Sequence, residues 1–538
     1  MKKLFYIVVL LTVLVSSCKE SKPQDTTAPV PRDRSVNASN SYSELFFDSL
    51  QLEQFLAVHK LRDTMPNRIR SFYNSRNYQY AWFFKEGIAD YASAFLQMQG
   101  NYIAFSGDSV LNNAHLYKMV DSISTYGDSI LVADSTRLLT ELALTRQFFL
   151  YANRAYQGRG DIDAKDLEWY IPRKKINSIT LLDSLLKYQG RKLAEFEPVN
   201  RQYHLLKDYL VKYYDIEKRG GWAPIQADKK IYKEGDSATA VVAIKKRLQS
   251  VGDLATDDTT KVFNKTMTEG VKRFQRRYGF SETGTVNAKL ISELNRPISE
   301  RIHQVLLNME RIRWVPQPPE TDYLLVNIPE FRLHAYKAGD YHFSMNVVVG
   351  STVHNTVIFS GALKHVVFSP YWYVPASIFR KEVQPGMKRN PNYLASHNME
   401  LYGGTARQKP GKNNALGLVK FLFPNSYNIY LHDTPSKSLF KEDQRAFSHG
   451  CIRLAEPKKL AQFLLRNDKN WDSTSITRAM NTGNEKYVLV KETVPVYIGY
   501  FTAWVDREGK LNFRDDIYGH DKKLASHLFS NRAVGLSR

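Results

Sequence analysis

Cysteine is scarce: the 538-residue chain has two, Cys18 and Cys451. That excludes a disulfide framework and structural zinc sites built on several thiolates. Long apolar runs are missing as well. The run Leu4–Val15 has twelve residues, whereas crossing a bilayer takes about 20, and no second run reaches spanning length. Carboxylates are in deficit, with 54 Asp plus Glu against 75 Lys plus Arg and a net charge of +21. Such a chain is drawn to acidic polymers and surfaces. No nucleic-acid motif accompanies the charge, so nucleic acid is set aside in favour of anionic envelope polymers or a membrane surface. No repeat of fixed period is present, which excludes a solenoid.

What is present is ordinary globular composition, 43% hydrophobic with 32 Tyr and 28 Phe, in a chain long enough for about three or four domains. The first residues predict export. Lys2 and Lys3 precede the apolar run, which ends in Val15-Ser16-Ser17-Cys18. Small residues ahead of a cysteine resemble a bacterial lipobox, which implies cleavage of residues 1–17 as a signal peptide and lipidation of Cys18. The expected location is the cell envelope, with the lipid holding the protein to a membrane and its body facing the periplasm. Residues 18–45, rich in Ser, Thr, Pro and charge, read as a flexible tether. With Cys18 lipidated, Cys451 has no disulfide partner.

The remaining pattern predicts a multidomain α+β protein. Residues 46–225 read as helical: Leu138, Leu139, Leu142, Leu144, Phe148 and Phe149 recur near helical spacing, and Leu181, Leu182, Leu185 and Leu186 repeat it. The aromatic stretch from Phe72 to Trp82 reads as core packing. Residues 228–298 predict three short amphipathic helices, with Val241, Ile244 and Leu248 on the first, Val271 and Phe274 on the second, and Leu290, Ile291 and Leu294 on the third. Phe274-Gln275 and the turn Gly279–Gly284 resemble the peptidoglycan-binding module of cell-wall enzymes, and a helical spacer without a ligand fits the same spacing. Beyond a linker at Trp314–Pro319, residues 320–495 carry strand signals at Tyr323–Ile328, Phe343–Gly350, Lys364–Phe368 and Asn428–His432. A basic insertion interrupts them at about 376–412, and a C-terminal extension at 496–538 has no chemistry assigned to it.

Within the β-rich region Cys451 stands in Ser448-His449-Gly450-Cys451 with Arg453 close behind, and His432 lies nineteen residues upstream in Tyr-Leu-His-Asp-Thr-Pro. A lone thiol with a histidine elsewhere in the chain is a nucleophile–base candidate. That separation rules out one helical face, so the two must meet through the fold, as a strand ending at His432 and a loop returning the thiol. Gly450 permits a tight turn whose N–H groups point at a developing oxyanion. Arg453 brings positive charge, which lowers a thiol's pKa and attracts a carboxylate-bearing substrate. His449 adjoins the nucleophile, and neighbours on an extended segment point to opposite sides, so His432 is the better base and His449 packs or orients the loop. Ser448 is expected to hydrogen-bond within the site. Asp433 is given no catalytic role. His432, His449 and Cys451 lack the spacing of zinc ligands, so no metal is expected.

Ser448-His449-Gly450-Cys451 with Arg453 resembles the signature of the L,D-transpeptidases, cysteine enzymes that cross-link peptidoglycan. The resemblance extends to Ser369–Pro375, Pro410–Gly417, Lys420-Phe421, Phe423–Asn425 and Tyr430–Pro435, and it is with the large members of the family. It implies a helical scaffold domain at 46–225, a small three-helix peptidoglycan-binding-like domain at 228–298, and a mainly β catalytic domain at 320–495 with a capping insertion. It also implies acyl transfer without a cofactor. Cys451 attacks a donor stem tetrapeptide, His432 serves as general base and then acid, the terminal D-alanine leaves, and an acceptor stem's amine resolves the thioester as a 3→3 cross-link. Tyr371 and Trp372 are candidates for lining the substrate cleft and read equally as core. Two alternatives fit the same residues: an L,D-carboxypeptidase, in which water resolves the thioester, and a non-catalytic lipoprotein tethering membrane to peptidoglycan.

Overall fold

The computed structural model describes residues 28–61, 64–126, 133–191, 197–255 and 258–529. The signal peptide and the lipidation expected at Cys18 lie outside them. Among the described residues no helix is long and apolar enough to cross a membrane. The chain divides into two compact units.

One unit comprises the described residues up to 100, those of 110–150, and those from 178 to 191. It is helical, as the apolar spacing predicts. Ser49–His59 opens with a capping box in which Asp48 and Gln51 satisfy each other's backbone N–H groups. Met65–Asn74, Ala114–Tyr126 and Ser178–Lys187 follow, together with most of Asp90–Ser106 and Asp134–Ala152. Phe72, Tyr73, Trp82, Leu138, Leu142, Phe148 and Phe149 are buried together, whereas Leu139 faces solvent despite its place in the apolar run.

The other unit holds the helices Thr239–Ser250, Lys265–Tyr278 and Ala288–Leu294, the three that the sequence predicts for the small module. Gln275 fixes the glycine turn there: its amide donates to Thr283 and to the Thr285 carbonyl and accepts from Gly284 N–H at 2.9 Å. The helix Ile298–Trp314 comes next, and its last residue is buried, so the connection expected at Trp314 starts one residue later. This helix buries Arg301, Gln304, Asn308 and Arg311 as well as its apolar residues, a pattern that periodicity does not reveal.

The β-rich region forms a sheet of nine strands among the described residues. Its central strands are Phe359–Phe368, Val419–Leu422, Leu431–His432 and Ile452–Leu454, side by side in that order, with Asp340–Gly350 beyond the last. Arg332–Lys337 pairs with Asp340–Gly350 as well as with Tyr323–Asn327, which closes the sheet on itself. Lys486–Gly499 carries the sheet to the C-terminal segment, where a hairpin of Ala503–Val505 and Leu511–Phe513 precedes the helix His520–Phe529. The insertion is a subdomain with its own small sheet, built from Met399–Tyr402, Thr405–Gln408 and Trp372–Tyr373. Its separate core gathers Val374, Val383 and Ala406 with Trp372, Phe379 and Met387.

Glu141 is the least expected group in the helical unit, a buried carboxylate accepting from Ala81 N–H at 2.7 Å, Trp82 N–H at 2.9 Å and the Tyr73 hydroxyl at 2.8 Å. Burial pushes its carboxyl up from 4.5 to about 7, against the pull of those donors. The folded state therefore holds the proton more tightly than the unfolded chain, so this group stabilises most below about pH 4.5 and the contribution is lost as pH rises through 7. Glu141→Gln presents an amide to donors and should cost about 1–3 kcal/mol. Thermal melts from pH 5 to 8 should show the wild type losing stability with rising pH and the variant, less stable throughout, lacking that component.

Candidate active site

Three strands set the site. Leu431–His432 runs parallel to Ile452–Leu454, with Leu431 opposite Ile452 and His432 opposite Arg453. Val419–Leu422 flanks it antiparallel, with Phe421 opposite Leu431 and Lys420 opposite His432. Phe421, Leu431, Ile452 and Leu454 are buried in the main core. Side chains alternate along a strand, so Lys420, His432 and Arg453 share the other face, joined by Tyr430 and Cys451 two residues before His432 and Arg453. The Tyr430 and His432 rings are 5.6 Å apart.

The imidazole is held in one tautomer. His432 Nδ1 lies 2.5 Å from the Asp433 carbonyl oxygen, which only accepts, so Nδ1 carries the proton and Nε2 the free lone pair. Burial and the nearby Arg453 charge push the ring down to about 4, leaving it neutral near pH 7. Asp433 is itself clamped: its carboxylate accepts from Leu418 N–H at 2.9 Å, Thr434 N–H at 2.7 Å and Lys437 Nζ at 2.6 Å. Gly417 makes room for it, since a Cβ there would lie 2.4 Å from the carboxylate. The Asp433 side chain, given no catalytic role from sequence, thus anchors the carbonyl that orients the His432 imidazole.

Cys451 follows Gly450, whose φ of +109° is a conformation that side chains disfavour. Ser448 Oγ accepts from Gly450 N–H at 3.2 Å and donates to the Cys451 carbonyl at 2.5 Å, closing the loop on itself. Gly450 N–H is therefore occupied. Cys451 N–H and His449 N–H have no acceptor among the described residues, so both are left open. The sulfur is 3.6 Å from the Asn428 carbonyl oxygen, and this is its hydrogen-bond acceptor rather than His432. Burial pushes the thiol above its ordinary value, while hydrogen bonds from Tyr430 and the charge of Arg453 pull it back less. Thiol and imidazole are thus both neutral near pH 7.

The other predicted residues separate. His449 is exposed and turned to the insertion, with Nε2 3.3 Å from Glu382 Oε1 and its ring 5.0 Å from that of His354. Trp372 packs against the insertion's core. Tyr371 donates its N–H to Glu485 at 3.0 Å and lays its ring 4.4 Å from the Arg407 guanidinium. Lys420 joins them, although the sequence pattern assigns it no part in the site. It is buried beside His432, with Nζ 3.3 Å from Glu485 and 3.4 Å from the Tyr371 carbonyl. A lysine between Val419 and Phe421 in a strand is the pattern of one polar residue turned off the core.

Comparison with known proteins gives matches over three stretches of the chain. Residues 321–498 match the model described as the L,D-transpeptidase catalytic domain, 67–210 a scaffold domain, and 237–294 a "Putative peptidoglycan binding domain". Residues 321–498 are thus similar to an L,D-transpeptidase catalytic domain. A curated Haemophilus influenzae protein named "Putative L,D-transpeptidase" is 30% identical over 242 residues, which are 41% of this chain and 48% of that protein. The chain thus spans about half the length of the curated relative it matches. Solved L,D-transpeptidase structures from Stackebrandtia nassauensis and Xylanimonas cellulosilytica match at 14% and 11% identity with TM-scores of 0.21 and 0.17. Each match covers 51% of this chain, and 98% and 100% respectively of the solved chain.

The charge state of the Cys451 thiol is directly measurable. Alkylation of Cys451 by iodoacetamide, followed by peptide mass spectrometry, should rise with pH into the alkaline range without a plateau between pH 5 and 8. A plateau there would reveal a thiolate–imidazolium pair at rest.

Proposed function

We propose that this protein is a peptidoglycan L,D-transpeptidase of the cell envelope, forming 3→3 cross-links through a thioester on Cys451. The observation that carries the proposal is the single sheet face shared by Cys451, Arg453 and a proton-accepting His432, inside the matched catalytic domain. In the first half-reaction His432 Nε2 takes the Sγ proton as sulfur bonds to the carbonyl carbon of the third residue of a donor tetrapeptide. Cys451 N–H meets the oxyanion. The C–N bond then breaks, and the imidazolium returns the proton to the departing D-alanine amine. In the second half-reaction the uncharged side-chain amine of an acceptor stem adds to the thioester. His432 accepts its proton and passes it to sulfur as the C–S bond breaks, leaving an amide and the free thiol.

Arg453 supports this reading, since its Nε has no acceptor among the described residues and suits a substrate carboxylate. The module at 237–294 would hold the glycan strand, and a lipid on Cys18 would keep the enzyme at a membrane. Incubation with disaccharide-tetrapeptides should give cross-linked dimers and free D-alanine by mass spectrometry. Cys451→Ala should abolish both, and His432→Ala should slow them about 10²–10⁴-fold. Tripeptide without dimer would identify a carboxypeptidase. Peptidoglycan binding with no Cys451-dependent product would identify a tether. Fatty-acid labelling in cells should mark the wild type and not Cys18→Ala.

A further inference from the structure

The C-terminal segment, to which no chemistry attaches from sequence, ends in hydrogen bonds that reach the nucleophile loop. Tyr500 is fully buried and its hydroxyl donates to Asp516 at 2.7 Å while accepting from Tyr518 N–H at 3.0 Å. Asp516 in turn accepts from Asp521 N–H and Lys522 N–H at 2.9 and 3.1 Å, in the first turn of the helix His520–Phe529. Tyr518 is thereby pinned at both its backbone and its ring, which lies 5.8 Å from Tyr500 and 5.9 Å from His520.

From there the chain of bonds runs to the site. The Tyr518 hydroxyl donates to the Gly350 carbonyl at 2.6 Å and accepts from Thr356 N–H at 3.3 Å. Thr356 is fully buried. Its Oγ1 accepts from Gly350 N–H at 2.8 Å and donates to the Gly450 carbonyl at 2.8 Å. Gly350 is where the long strand Asp340–Gly350 ends, directly opposite Ser448. A Cβ at Gly350 would lie 2.1 Å from the His354 carbonyl oxygen, so the approach requires glycine.

The Gly450 carbonyl matters because of what shares its peptide plane. In a trans peptide the C=O and the following N–H point in opposite directions. Holding the Gly450 oxygen on Thr356 therefore aims the Cys451 N–H away from Thr356, as a donor left free for an oxyanion. Gly450 has the conformational freedom to let that plane rotate, and its own N–H is held only by the Ser448 hydroxyl.

We propose that Thr356 and Tyr518 are positioning residues, a strut through which the C-terminal segment sets the Gly450–Cys451 peptide plane and so the oxyanion donor. The inference rests on the reading of Cys451 as an acyl carrier, and it extends that reading to a segment beyond the matched catalytic domain. Neither residue touches the reacting atoms. Their contribution is to acyl transfer, which develops an oxyanion, and not to displacement at a saturated carbon, which develops none.

Two reagents separate those cases in the full-length protein. p-Nitrophenyl acetate acylates the thiol through a tetrahedral oxyanion and releases p-nitrophenolate as a burst, whereas iodoacetamide alkylates by direct displacement. Thr356→Val removes the hydroxyl and keeps the shape. It should slow the Cys451-dependent burst by about 10²-fold, the order of a lost oxyanion donor, with alkylation within about twofold of wild type. Thr356→Ser should restore most of the burst rate. Tyr518→Phe keeps the ring packing and should show the same split at about tenfold. Equal burst rates in wild type and variants would overturn the strut alone, as would burst and alkylation falling together in Tyr518→Phe. A wild type that alkylates but shows no burst would overturn the acyl-carrier reading and the strut with it.

Discussion

Phe421, Leu431 and Ile452 lie in register across three adjacent strands, and their burial in the main core turns Lys420, His432 and Arg453 together onto the opposite face. The chemistry of the site depends on that packing. A slip of one residue in the two-residue strand Leu431–His432 would put the imidazole into the core and a leucine beside the thiol. The apolar residues resist such a slip because full burial of each is worth about 1.5–3 kcal/mol. Core packing and catalytic geometry are thus two sides of one alternation, and no separate interaction has to bring Cys451 and His432 to the same face.

Polar groups then refine what the core sets coarsely. The Asp433 carbonyl selects the tautomer of His432, and the Asp433 carboxylate, held by two backbone N–H groups and Lys437, keeps that carbonyl in place. Ser448 does the equivalent for the thiol loop by bridging Gly450 and Cys451. These bonds lie where a buried donor or acceptor left alone is costly, which makes small departures from the arrangement expensive. The same economy governs the helix Ile298–Trp314, where Asn308 donates to the Thr502 hydroxyl at 2.8 Å and Gln304 donates to the carbonyls of Thr502 and Arg514 at 3.1 and 2.8 Å.

Charge acts on the site in a direction opposite to the simple expectation. Arg453 does draw the thiol down, but burial outweighs it, and the same guanidinium depresses His432. Thiol and imidazole are both neutral at rest, so in the proposed reaction the imidazole would take the thiol's proton as the substrate is attacked. A thiol held protonated in this way is less prone to oxidation than a thiolate.

Much was legible without the fold. The helical periodicity of Leu138 to Phe149, the three short helices around Phe274 and the strands at Tyr323 and Phe343 all depend on neighbours within a few residues, and they emerge in the structure. The rarity of cysteine and the motif around Cys451 singled out the thiol, and the side-to-side alternation that turns His449 away from its neighbour singled out His432. What sequence could not contain is anything set by pairing across strands or between distant segments. The register that brings Lys420 opposite His432, the burial that leaves thiol and imidazole neutral, the polar helix Ile298–Trp314 and the hydrogen bonds from Tyr518 to the loop at Gly450 link residues from a dozen to over 160 positions apart. Local pattern determined which residue types carry the chemistry. Only long-range packing decided their protonation, their orientation and which backbone N–H remains free, because each of these depends on what the rest of the chain places beside them.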